Sequence, residues 1–246
     1  KDIYTVAPLP VDTVANCLQL IAHAGCCVLY QDRKGILHIQ KHNRVNSDYA
    51  ITEDNSYSKP EGTLTKPCRR IVVPVYEYEV GETIVVAKKT VKASDGTKTV
   101  DITINYSDPV TNVTVDTLYG TTVNSVEYYS NYCKINISYK GNDVRITVKG
   151  DKLITSSTVS EIILGDVGDE IRIDNPLITD EARASAVAEW MRDYITHRQS
   201  LSYSWRSDPR LDCLDVIGSR DALTDNNVIM TKVDYSYNGA FRGSGE

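Results

Sequence analysis

The chain has 246 residues, a formal net charge of −6, 41% hydrophobic and 24% charged residues, the balance of a soluble globular protein of two or three units. Lys and Arg are scattered with no basic stripe to neutralise phosphates, so nucleic acid is not an expected partner. An acidic balance gives no pull toward an anionic membrane, and no run of about 18 apolar residues exists to span one.

Sixteen Tyr stand against one Phe and two Trp. Tyr serves either as an ordinary strand former or as a half-exposed contact residue, and the first reading is the commoner one. The six cysteines, at 17, 26, 27, 68, 133 and 213, show no C-x-x-C pair. They read as buried free thiols, which favours assembly in a reducing compartment. No secretory leader is visible. The chain opens on Lys1 and closes on Gly243-Ser244-Gly245-Glu246, which reads as a piece of a larger protein.

In chain order, Asp12 is placed to cap a helix carrying Val14, Cys17, Leu18, Ile21 and Ala24 on one face, with Gly25 as a left-handed stop. Strands follow at 26–30 and 36–39 around a turn at 31–35. Residues 46–70 read as polar, with Asp48, Asp54, Asn55 and two pre-proline lysines, Lys59 and Lys66, setting extended or turn geometry. A strand follows at 71–80, where Pro74 argues for an edge or a bulge.

From 81 to 170 the pattern changes to short alternating segments at 83–87, 99–106, 110–115, 123–129, 134–139 and 143–149. Turn signals such as Asp95-Gly96, Asp108-Pro109, Tyr119-Gly120 and Lys140-Gly141-Asn142-Asp143 separate them. Such spacing predicts an inserted Ig-like β-sandwich. After it, Thr179 is placed to cap a helix of about 19 residues, with Asp180 and Glu181 in its first turn. Arg192, His197 and Arg198 fall near its end. Strands at 201–205, 213–218 and 228–237 complete the chain, with turns at Ser207-Asp208-Pro209 and Asn238-Gly239.

The fold class is thus α+β and predominantly β: a mixed domain split by an inserted sandwich. Residues 1–80 and 171–246 form its two parts and residues 81–170 the insertion.

The chemistry-bearing residues have plain readings. Cys68 beside Arg69 and Arg70 is a thiol near positive charge, but a Cys opening a strand is far more often a packing residue. His23, Cys26, Cys27, His38 and His42 are the one sequence cluster with metal-ligand types. Adjacent cysteines on a strand point to opposite faces, which disfavours one tetrahedral zinc. Asp208, Asp212, Asp215, Asp221 and Asp225 lack the spacing of a calcium loop and read as turn acids. No G-x-S-x-G elbow occurs. No catalytic, cofactor-binding or metal residue is assigned, and no cofactor is expected. Tyr128, Tyr129 and Tyr132 form a conceivable sugar platform. Asn105, Asn112 and Asn136 head glycosylation-type triplets, which arise often by chance in such sequences.

Two groups of residues carry a resemblance. One is Asn175-Pro176-Leu177-Ile178-Thr179, Ala186-Val187-Ala188-Glu189-Trp190, the run from Trp205-Arg206-Ser207-Asp208-Pro209 through Cys213 to Val216, and Tyr235-Ser236-Tyr237-Asn238-Gly239-Ala240-Phe241-Arg242-Gly243. The other is Ala24-Gly25-Cys26 with Asp32-Arg33-Lys34-Gly35-Ile36-Leu37-His38-Ile39. Together they resemble tail and baseplate hub-type structural proteins (minor tail proteins) of tailed bacteriophages and prophages. The match covers about half of the chain and leaves 81–170 unexplained. Trp190 and Trp205 also read as core anchors, and Gly239 and Gly243 as strand breaks. The resemblance implies a hub-like domain in a trimeric, non-enzymatic tail-tip protein. Such a protein joins the tail tube to fibres or a lytic module, is assembled in the bacterial cytoplasm and ends in the virion tail. Its partners would be other tail proteins and itself. The alternative is a carbohydrate- or receptor-binding adhesin module on the insertion, with a host-surface glycan as partner.

Overall fold

The computed structural model describes residues 7–32, 34–41, 46–117, 120–206, 211–220 and 225–246. It is mainly β, with two helices, as the sequence predicts. The predicted turn at 207–209 and the residues Arg33, His42, Tyr119, Asp208 and Asp221 lie outside the described residues.

Helix α1 (Val14–Ala24) is capped by Thr13, whose hydroxyl accepts from the Asn16 backbone N–H; Asp12 instead accepts from the Thr13 N–H. The helix buries Ala22 and Ala24 and leaves Val14 and Ile21 exposed, a narrower face than its apolar spacing predicts. The left-handed residue at its end is Cys26 (φ 54°), not Gly25 (φ −85°). Strands β1 (Val28–Gln31) and β2 (Leu37–Gln40) form a hairpin. Asp32 organises its turn by accepting from the backbone of Lys34 and Ile36. Within the polar stretch 46–70 the extended parts are two strands, β3 (Asn46–Thr52) and β4 (Glu61–Leu64).

The dominant element is a pair of long antiparallel strands, β5 (Cys68–Val91) and β10 (Val144–Ile163), paired from Arg70 opposite Ile163 to Val91 opposite Val144 with register shifts between Val148 and Lys149 and between Asp151 and Leu153. The predicted strands at 71–80 and 83–87 are one strand. Residue 80 therefore lies inside β5. Gly81 does not break the strand, because Ile154 of β10 sits where its Cβ would be, 2.9 Å from that position. Pro74 has a ladder partner only in β10 (Val159). The amide it lacks would face the gap between Ile173, which bonds Val72, and Ile178, which accepts from Tyr76.

Each end of this ribbon enters a core. At one end Ile71, Val73 and Val75 pack with Ile178, Ala184, Val187 and Ala188. Helix α2 (Glu181–Ile195) supplies the last three. It is capped by Asp180, not Thr179. Its 15 residues stop before His197 and Arg198, so it is shorter than predicted. Strand β11 (Asp169–Arg172) lies parallel to β5 here. At the other end the ribbon and β7 (Val110–Thr117) form one layer. Strands β6 (Ser94–Asn105), β9 (Tyr132–Gly141) and β8 (Thr121–Tyr128) form a second. Val86, Ile146 and Val148 of the first layer meet Ile104, Cys133, Ile135 and Ile137 of the second.

A third core gathers Ile51, Tyr203, Trp205, Leu211, Ile217 and Met230. Strand β12 (Gln199–Arg206) pairs with β4 and with β16 (Phe241–Gly245), which also pairs with β15 (Val233–Tyr237). Strand β13 (Val216–Arg220) pairs with β14 (Asp225–Ile229) and runs parallel to β3. The single strand predicted over 228–237 is thus two, parted at 230–232. Gly243 does not break a strand; it sits in the ladder between Trp205 and Tyr235. Trp205 is fully buried. Truncating such a residue to Ala costs about 3–5 kcal/mol.

Candidate interaction surfaces

The chemistry-bearing residues separate. His23 packs at a tilt against Trp190, with ring centroids 5.7 Å apart, and burial lowers its pKa. The Cys26 thiol faces the Arg183 guanidinium at 3.8 Å. Burial raises its pKa more strongly than Arg183 lowers it. His38 reaches Asp32 at 2.9 Å and stacks on Tyr30; the hydrogen bond from His38 holds the Asp32 carboxyl below its ordinary value. Among the described residues no group of three metal-ligand types converges.

Cys68 donates toward the Arg70 carbonyl, and Arg70 is drawn away to Glu170 (2.6 Å) and Glu161 (3.4 Å). The positive charge expected beside the thiol is therefore neutralised on the strand surface. Of the six free cysteines only Cys133 is buried; the others are partly exposed, contrary to the expectation of a fully buried set. Burial raises the Cys133 pKa, and it is an inert core residue. Asp212 and Asp215 close a local turn: Asp215 accepts from the Asp212 N–H at 2.8 Å, and Asp212 accepts from the Cys213 N–H. They are the turn acids their spacing predicts.

One surface gathers polar side chains in a row. Alternation along β6 and β9 sends Ile104, Cys133, Ile135 and Ile137 inward. Thr99, Asp101 and Thr103 face out beside Ser138, Asn136 and Lys134. Asn136 donates to Asp101 (2.6 Å) and accepts from Asn124 (2.6 Å), which also reaches Ser138 (2.9 Å). A shallow groove of about 240 Å³ follows this row past Ser125, Glu127 and Lys134.

At one end of the row the turn between β8 and β9 stacks Tyr129 on Tyr132, centroids 4.4 Å apart and planes at 14°. The Lys134 ammonium stands 5.9 Å from the Tyr129 ring. The Tyr129 hydroxyl donates to Glu127, which raises its pKa. Tyr128 is exposed but belongs to the opposite parity of β8. The structure thus brings together two of the three predicted tyrosines. Sequence reasoning missed Asp101, Asn124, Glu127, Lys134 and Asn136 beside them. The signal was the unbroken run of polar residues at every second position of β6 and β9. Asn112 and Asn136, two of the glycosylation-type residues, have their amides engaged by Asp151 and Asp101.

A second feature is a cleft of about 690 Å³ between α2 and the C-terminal strands, bounded by Trp190, Tyr194, His197, Tyr203, Met230 and Glu246. Two of its polar groups are engaged internally: Ser200 bonds Glu246 at 2.5 Å, and His197 lies 2.9 Å from the Asp193 carbonyl.

The third is the middle of the ribbon. Residues 154–159 of β10 are all exposed, and β7 pairs with β10 only as far as Lys152. Val80, Ile154 and Val159 are 61%, 51% and 57% exposed. An isolated two-stranded ribbon is marginal in water, so this span relies on the cores at its ends.

No helix among the described residues is long and apolar enough to cross a membrane. No protein-family model matches the chain, and no curated protein or solved structure matches it significantly.

Proposed function

We propose that the chain is a non-catalytic structural component of a phage or prophage tail tip or baseplate that works by protein–protein assembly. In this reading residues 1–80 and 171–246 are one hub-like part, and 81–170 is an Ig-like insertion. The partners are other tail proteins and copies of itself, and the place is the virion tail after assembly in the bacterial cytoplasm. The observation that carries the reading is the uncovered β5/β10 ribbon. A long strand edge with exposed valines and isoleucines invites a partner strand, and the resemblance of the flanking blocks supplies the context. Antibody raised to this chain is expected to label the tail tip of purified particles in electron micrographs. Particles that assemble without the chain would sink the reading.

A second reading is a carbohydrate- or receptor-binding module on the β6–β9–β8 face. Its support is the row of Asp101, Asn136 and Asn124 beside the Tyr129–Tyr132 pair: hydrogen-bonding groups next to aromatic rings suit a sugar. A glycan array of bacterial wall sugars tests it, and uniform failure to bind would count against it.

A further inference from the structure

The backbone geometry of β10 fixes which of its groups remain open. In β5 the Tyr76 N–H bonds the Ile178 carbonyl, and the Val72 carbonyl accepts from Ile173. Even-numbered residues of this part of β5 thus turn their backbone away from β10, and odd-numbered ones turn toward it. The partners of Ile71, Val73 and Val75 in β10 are Ile162, Ser160 and Thr158. In an antiparallel ladder those are the residues whose backbone groups are spent. Thr155, Ser157, Val159 and Glu161 present N–H and C=O groups outward. The last outward contact on that side is the Leu153 N–H to the Pro109 carbonyl, at 3.3 Å.

This edge lacks the devices that protect exposed strands. It has no proline, and Glu161 is its sole charge over 153–163. Its sequence, Leu-Ile-Thr-Ser-Ser-Thr-Val-Ser-Glu-Ile-Ile, is apolar at both ends and polar between. That pattern complements itself when reversed.

We infer that a second copy of this chain pairs its β10 antiparallel to this one about a two-fold axis at Thr158, making a continuous sheet β5-β10-β10-β5. The inference rests on the reading of the chain as an assembly module and names its partner. The dyad follows from register. Centred on Thr158, Ile154 lies opposite Ile162, and Glu161 opposite Thr155. The outward residues then form pairs Thr155 with Glu161 and Ser157 with Val159, about eight backbone hydrogen bonds in all. Moving the axis one residue either way sets Ile154 against Ser160, or Ile162 against Ser156. The four-stranded product passes the size at which a sheet stands alone. It also covers Ile154 and Val159, which are 51% and 57% exposed. A two-fold pair differs from the trimer that the resemblance implies, and mass alone distinguishes them.

The full chain is run through size-exclusion chromatography with light scattering at high micromolar concentration. A mass of twice 27.4 kDa is expected. Ser157→Pro deletes one outward N–H and leaves the β5 ladder intact; it is expected to weaken the dimer at least tenfold with an unchanged circular dichroism spectrum. Should that variant fold poorly, Val159→Lys, a surface change that sets a charge in the pairing, must give the same weakening. Thr158→Cys is expected to form an intermolecular 158–158 disulfide on mild oxidation, identified by peptide mass. A monomer, a trimer, or a dimer indifferent to both edge variants overturns the proposal. Tail-tip labelling is read independently, so failure of the pairing and failure of the tail assignment are distinguishable.

Discussion

Asn175 donates its side-chain amide to the backbone carbonyl of Leu20 at 2.8 Å, and its side-chain oxygen accepts from the Leu177 N–H at 3.0 Å. The residue is 1% exposed. Two segments 155 positions apart in the chain are thereby tied at the edge of one core, α1 to the turn that leads into α2. Asn175→Ala removes both bonds from a buried site and is expected to cost about 2–3 kcal/mol in urea unfolding. Asn175→Asp keeps the acceptor for Leu177 but aims a carboxylate at a carbonyl, and should cost at least as much. If Asn175→Ala unfolds at the wild-type midpoint, the tie is not structural.

Gly168 has φ 129°, and a Cβ there would lie 2.2 Å from the Pro67 carbonyl oxygen. Neither the backbone nor the neighbour can give way without disturbing β11, whose Asp169 N–H bonds that same carbonyl at 2.9 Å. Gly168→Ala should therefore destabilise by about 2–3 kcal/mol. For a chain of this length that lowers Tm by roughly 4–10 °C in calorimetry. Gly120→Ala, with open space around it, tests positive φ alone and should cost less.

Asp143 accepts from the Ala93 N–H at 2.8 Å and from Lys92 at 3.2 Å. The backbone hydrogen bond is the larger reason its pKa lies below the ordinary carboxylate value. Asp108 and Asp151 are depressed in the same direction, by Lys152 and by Thr83. A carboxylate whose folded pKa is lowered adds stability that is full above the unfolded pKa, about 3.9, and is lost as pH falls through the folded value. Stability should then be flat near neutrality and decline below about pH 4. Asp143→Asn keeps an acceptor for Ala93 but cannot titrate, so its denaturation midpoint should fall less steeply with acid than that of the wild type. Parallel acid profiles would refute the assignment.

Tyr129 is exposed, so changing it to Ala should leave stability within about 0.5 kcal/mol, while Tyr132, half-buried, should cost more. If the β6–β9–β8 face binds a sugar, each change should weaken binding up to tenfold, the most one aromatic contact of about 1.4 kcal/mol supplies. Asn136→Ala should weaken it by a similar factor through lost hydrogen bonds. A sugar that binds all three variants equally lies elsewhere.

The parts legible in the sequence were those with local signals. Both helices lie where capping residues and apolar spacing put them, with caps displaced by one position because Asp12 and Thr13, like Thr179 and Asp180, are both able to cap. The six segments of the 81–170 region are all strands. The true length of β5 and β10 was not legible. The strands predicted over 71–80 and 143–149 stop just before Gly81 and Gly150, yet both glycines lie inside longer strands, where Ile154 or Val110 comes within 3 Å of where a side chain would begin. Strands β3 and β4 were hidden because their partners, β13 and β12, lie more than a hundred residues onward. The tyrosine stack was anticipated in part. The Asp101–Asn136–Asn124 row was not, since it depends on which strands become neighbours.

The two-stranded ribbon also constrains which pieces of this molecule can be exchanged for others. A head joined by a loop is replaced by splicing at one flexible seam. Here two strands run between the two cores together, with Val80 facing Leu153 and a register shift between Asp151 and Leu153. A foreign head is accommodated only if it is cut at facing rungs on both strands and keeps the same face parity. A single-residue slip on either side would turn Ile71, Val73 and Val75 out of their core.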